Sequence, residues 1–108
     1  MEKRKTITDK FGNVQTLQAI KYNGCDSFIN KLKAFLSICW SSNQAFKIGS
    51  KFVYNSGHFA ARKAIVTDVI PNDKKVINVS LGDWICADND NVHYFKNEED
   101  LNKFYNSK

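Results

Sequence analysis

Residues 55–63 read Asn-Ser-Gly-His-Phe-Ala-Ala-Arg-Lys, which gathers a hydroxyl, an imidazole, an aromatic ring and two cations around one glycine. Amides of a Gly-containing loop, acting with cations, hold phosphate, and an aromatic ring gives a base a surface to stack on. The residue types therefore point to an anionic, nucleotide-like ligand held by Ser56, His58, Phe59, Arg62 and Lys63. Tyr22, Lys51 and Tyr54 are expected to extend the same face. The plainer alternative is a polar connection whose Phe59 tucks into the core.

A second grouping comes from a hairpin. Residues 84–87 and 92–95 flank the loop Asp88-Asn89-Asp90-Asn91, so Ala87 faces Val92 and Cys86 faces His93. Opposed side chains lie about 5 Å apart at Cβ, close enough for a thiol–imidazole pair that activates a nucleophile. Trp84 and Phe95 share that face, however, which favours packing, and a buried cysteine acts as a small hydrophobe. Cys25, Cys39, Cys86, His58 and His93 are scattered singly, without the close spacing of metal ligands. Asp83, Asp88 and Asp90 lack the ligand pattern of a calcium loop and read as turn formers. The sequence contains no Gly-rich phosphate loop, dinucleotide fingerprint or hydrolase triad motif. The expectation is a binding protein rather than an enzyme, with no metal and no cofactor.

Charge points the same way. The 108 residues carry 16 Lys or Arg against 11 Asp or Glu, a net charge of +5. Residues 1–63 hold eleven basic residues against three acids, net +8, whereas residues 64–108 hold five against eight, net −3. A cationic half attracts nucleic acid, nucleotides or an acidic protein face; a lysine-rich solvated surface is the plainer account. Arginine is confined to Arg4 and Arg62, so base reading by forked guanidinium groups has weak support. The basic start, Met1-Glu2-Lys3-Arg4-Lys5, is followed by no apolar run, and three unpaired-looking cysteines suit a reducing compartment. A cytoplasmic protein with no membrane contact is expected.

The elements that position these residues follow from pattern. Residues 5–8 and 14–22 are β-branched or apolar-rich around an Asp-Lys-Phe-Gly-Asn turn, which predicts a hairpin. Asp26 or Ser27 is placed to cap a helix whose Phe28, Ile29, Leu32, Phe35 and Leu36 form one apolar stripe. Short strands are predicted at 38–40, 45–48 and 51–54. Residues 64–70 and 76–80 flank Pro71-Asn72-Asp73-Lys74-Lys75 and predict a further hairpin, as do 84–87 and 92–95. Asn97 caps a closing helix with Glu98, Glu99 and Asp100 in its first turn. The expected architecture is one α+β domain over residues 1–108: an antiparallel sheet built of hairpins, a main helix after the first hairpin and a short C-terminal helix.

Two stretches resemble a set of small bacteriophage proteins. The first is Leu17-Gln18-Ala19-Ile20-Lys21-Tyr22-Asn23-Gly24 with the helix that follows to Leu36. The second is Leu81-Gly82-Asp83-Trp84-Ile85, then His93-Tyr94-Phe95, then Leu101, Phe104 and Tyr105. The match covers about half the chain and departs at Leu81, where that family has proline. The resemblance implies the α+β fold and a phage origin, and brings no catalytic residue with it. By analogy, small phage proteins without a catalytic signature act on host defence by stoichiometric binding. The expected function is thus a non-enzymatic counter-defence protein of the host cytoplasm that sequesters an anionic nucleotide-type immune signal, with assembly into a homo-oligomer as an open option. One alternative is an anti-CRISPR-like inhibitor that binds a host defence protein or ribonucleoprotein complex. Another is a small basic nucleic-acid-binding accessory protein.

Overall fold

In the first strand, β1 (Glu2–Thr8), Lys3, Lys5 and Ile7 are half-buried while their neighbours are exposed, the period of two that a one-sided strand requires. The computed structural model describes residues 2–8, 10–38, 43–55, 63–88 and 91–107. β1 pairs antiparallel with β2 (Val14–Lys21), Glu2 opposite Ile20 and Thr8 opposite Val14. Gly12 in the connecting turn has φ 82°, a left-handed conformation that glycine adopts without steric cost.

Helix α1 (Ser27–Ile38) forms where the stripe predicts it, burying Phe28, Leu32, Phe35 and Leu36. Each such side chain contributes about 1.5–3 kcal/mol when fully removed from water. Four strands follow: β3 (Gln44–Ile48), β4 (Lys51–Asn55), β5 (Ala64–Thr67) and β6 (Lys75–Asn78). The chain ends with β7 (Trp84–Ala87), β8 (Val92–Phe95) and helix α2 (Glu98–Asn106). Asn97 caps α2 as expected, its side-chain oxygen accepting from the Asp100 amide at 2.8 Å.

The result is an α+β fold built largely of antiparallel hairpins, divided between two sheets. One sheet runs β1-β2-β7-β8 and the other β5-β4-β3-β6. One core lies between the sheets and α1, and joins Ile20, Ile85 and Val92 to Phe46, Val53 and the helix stripe. The opposite face of the first sheet carries the second core, Leu17, Ala19, Trp84 and Cys86 under Leu101 and Tyr105 of α2.

Three expectations are corrected. The strands on either side of Pro71 do not form a hairpin: β5 pairs with β4, and β6 pairs in parallel with β3, Phe46 opposite Ile77. β5 and β6 therefore form the two edges of the second sheet. Turn-forming residues set only a local change of direction; burial of Ile77 and Val79 in the inter-sheet core selects the distant partner. β5 also stops at Thr67, whose hydroxyl accepts from the Val69 amide, leaving Val69 and Ile70 exposed. Ile38 closes α1 instead of opening a strand; Cys39 and Trp40 lie outside the described residues.

A polar junction ties the sheets together. The Tyr94 hydroxyl donates to Asp83 Oδ2 at 2.5 Å and lies 3.2 Å from the Asn78 carbonyl oxygen, while the Ser80 amide also donates to Asp83 Oδ2, at 2.8 Å. Burial, with the Asp83 carboxylate beside it, pushes the Tyr94 phenol from 10 up to about 12. Tyr94→Phe leaves one oxygen of the buried Asp83 short of a donor, and is expected to lower unfolding free energy by about 1–3 kcal/mol in urea titration. The folded state holds the Tyr94 proton more tightly than the unfolded chain, so its stabilisation is present below pH 10 and lost as pH rises from 10 to about 12. Alkaline unfolding of the Phe variant is expected to show a weaker pH dependence in that window.

Candidate functional site

Strand β4 carries two of the residues expected to bind ligand, and its pleat separates them. Lys51, Val53 and Asn55 alternate with Phe52 and Tyr54, so Lys51 and Tyr54 project from opposite faces. Val53 and Asn55 face α1, Asn55 being fully buried with its Nδ2 donating to the Leu36 carbonyl at 2.6 Å. That carbonyl belongs to the last turn of the helix, where acceptors lack an intrahelical partner. Lys51 Nζ lies 2.6 Å from Asp68 Oδ1 in an exposed pair. Tyr54 stands between Ala45 and Ile65 of the neighbouring strands, on the face that also holds Phe52 and Lys47. Lys47 Nζ approaches the Phe52 ring at 5.9 Å. The single surface expected of Tyr22, Lys51 and Tyr54 is thus not formed: residues three apart on a strand have opposite parity, and Tyr22 packs on Phe28 at 4.9 Å. Lys63 is exposed immediately before β5. Ser56, His58, Phe59 and Arg62 lie outside the described residues.

Cys86 and His93 are paired across β7 and β8 as the hairpin register requires. Cys86 is fully buried, and burial, with Asp88 nearby, pushes its thiol up from 9 to about 11 against the opposing effect of a Tyr105 hydrogen bond. A protonated, enclosed thiol is a poor nucleophile. The Tyr105 phenol is likewise pushed up, first by burial and then by Cys86 beside it. His93 Nε2 contacts Asp88 Oδ2 at 2.9 Å, and its ring lies 4.6 Å from that of Phe104. The other oxygen of Asp88 accepts the Asn91 amide at 2.7 Å. These contacts fasten the hairpin turn to α2. The Asp88–His93 contact was not foreseen; the five-residue spacing across a tight turn was its available signal. Among the described residues, no three His, Cys, Asp or Glu side chains converge as a metal site.

The first sheet and α1 hold a cationic surface. Lys31 Nζ is 2.5 Å from Glu2 Oε1 and holds that carboxyl below its usual range by hydrogen bonding and charge. Lys3 acts similarly on Glu98 at 2.6 Å. Lys21 and Lys31 border a shallow depression with Asn23, Ser27 and Phe28. Arg4, Lys21, Lys33, Lys63 and Lys96 form no ion pair among the described residues. No helix described is long and apolar enough to cross a membrane.

No family model, curated protein or solved structure matches the chain.

The thiols separate by environment. At pH 8 an alkylating reagent is expected to modify exposed Cys25 and spare Cys86 until the protein unfolds. Peptide mass mapping of labelled native and urea-treated protein checks this; equal native labelling of the two would contradict an enclosed Cys86.

Proposed function

We propose that the protein acts by stoichiometric binding rather than catalysis, and that its partner is anionic. The observation that carries this reading is the excess of cations with no ion-pair partner among the described residues, Lys33, Lys63 and Lys96 among them. Unneutralised surface cations raise the local concentration of anions and speed their capture. The environment of the obvious nucleophile supports the same reading: Cys86 is enclosed and protonated.

The resemblance to small phage proteins read from the sequence supports a counter-defence role inside a host cell, with a nucleotide-type immune signal as the first ligand. Tyr54 and Lys63 are the described residues suited to it, one offering a ring beside Phe52 and the other an exposed ammonium group just before β5 with no ion pair among the described residues. A base stacked on an aromatic side chain gains about 1–3 kcal/mol, and a cation neutralises a phosphate. Lys51, already paired with Asp68, is a weaker contributor. An inhibitor bound to the acidic face of a defence complex uses the same cations and is the second reading.

Thermal unfolding against a panel of cyclic oligonucleotides and ADP-ribose-type compounds tests the proposal. A ligand at 100 times its dissociation constant adds roughly 2.7 kcal/mol, a rise on the order of 10 °C for a domain of this length. One compound is expected to give that rise, and Lys63→Glu or Tyr54→Ala to abolish it. A rise retained in both variants would remove these residues from the site, and no rise with any compound would remove the small-molecule reading.

A further inference from the structure

We infer that the β1–β2 hairpin is an arm that docks in the major groove of B-form DNA. The inference rests on the anionic-partner reading but uses a surface separate from Tyr54 and Lys63. β7 pairs with β2 only from Gln18 to Lys21. Beyond that point the hairpin continues as two strands alone, Lys5 opposite Leu17 and Thr8 opposite Val14. One face of this ribbon is held by α2: Ile7 packs against the core cluster that includes Leu17 and Leu101, and Lys5 Nζ donates to the Tyr105 carbonyl at 2.5 Å. The other face carries Arg4 opposite Gln18, Thr6 opposite Thr16, and Thr8 opposite Val14. Arg4, Thr6, Thr8 and Val14 are exposed, and Thr16 and Gln18 half-buried.

Size, chemistry and charge favour duplex DNA as the occupant. A major groove about 12 Å wide admits a two-stranded ribbon. Threonine and glutamine hydrogen-bond to base edges and phosphates, and threonine methyls meet thymine methyls. Residues 2–21 carry five cations, Lys3, Arg4, Lys5, Lys10 and Lys21, against two acids, Glu2 and Asp9; Glu2 is paired with Lys31, and Lys3 with Glu98. At the tip, Phe11 is 77% and Val14 64% exposed, with Lys10 Nζ 5.2 Å from the Phe11 ring. An exposed ring and a lysine at the end of a ribbon suit a sugar–phosphate wall. With a single guanidinium on the face, binding depends more on phosphates than on base identity. A-form RNA has a major groove too deep and narrow for such an arm.

Fluorescence anisotropy with a labelled mixed-sequence duplex of about 25 base pairs, its RNA counterpart and a single strand, at 50–200 mM salt, tests this. Duplex DNA is expected to bind at least tenfold tighter than either competitor, with affinity falling as salt rises. Lys10→Glu, in the exposed turn, and Arg4→Glu are each expected to weaken binding severalfold, and together at least tenfold. Lys75→Glu, exposed on β6 at the edge of the second sheet, is expected to change it less than twofold. Thermal melts of all variants establish that they fold. Equal binding to RNA or single strands, insensitivity to salt, or equal losses in Lys75→Glu and the arm variants would overturn the arm. Nucleotide stabilisation without duplex binding would also overturn it, while leaving the proposed function standing.

Discussion

β7 is the constraint on which the remaining architecture depends. All four of its residues are buried, Trp84 and Cys86 toward α2 and Ile85 and Ala87 toward α1 and the second sheet. A strand with no solvated face cannot exchange its two sides, because a one-residue slip would move every side chain into the wrong core. Its register with β2 thereby sets where α2 sits, how far the first hairpin projects, and which side of that hairpin remains open. The preceding turn is fixed by the same demand: the Gly82 amide donates to the Tyr22 carbonyl, and the Tyr22 amide to the Asp83 carbonyl. Chain entry into β7 is thus clamped before the first buried side chain.

Residue types that elsewhere perform chemistry are largely consumed in this framework. Asp83 and Tyr94 bridge the sheets, Asp88 closes a turn and steadies His93, and Cys86 fills space under Tyr105. Asn55 serves a helix end. What is left over is a lysine-bearing surface and the solvent-exposed face of the first hairpin. Such a surface gains affinity from many weak charge contacts rather than from one shaped cavity, which is consistent with a role in binding.

The elements legible in the sequence are those whose determinants are local. Both hairpins of the first sheet, the α1 stripe and the Asn97 cap follow from alternation, turn residues and three-to-four spacing over a few residues. The parallel pairing of β3 with β6 was not legible, since neither strand contains any mark of the other and the choice is made by shared burial of Phe46 and Ile77. For the candidate site, residue type was readable and geometry was not. Lys51 and Tyr54 are suitable groups near one another in sequence, yet strand parity parts them. The open face of the first hairpin carries no charge signal at Thr6, Thr8 and Thr16; its exposure follows only from β7 ending its pairing at Gln18.

The pairing of Gln18 with Ala87 has a bearing on how the protein is made. During synthesis the β1–β2 hairpin emerges before β7, its central partner strand, and before α2, the helix that covers it. Contacts so distant in sequence must close a long loop before they stabilise anything, which slows folding. Until β7 is released, Leu17 and Ala19 face water on one side of the hairpin and Ile20 on the other, and its charged outer strand, with Lys3, Arg4 and Lys5, is what discourages association between nascent chains.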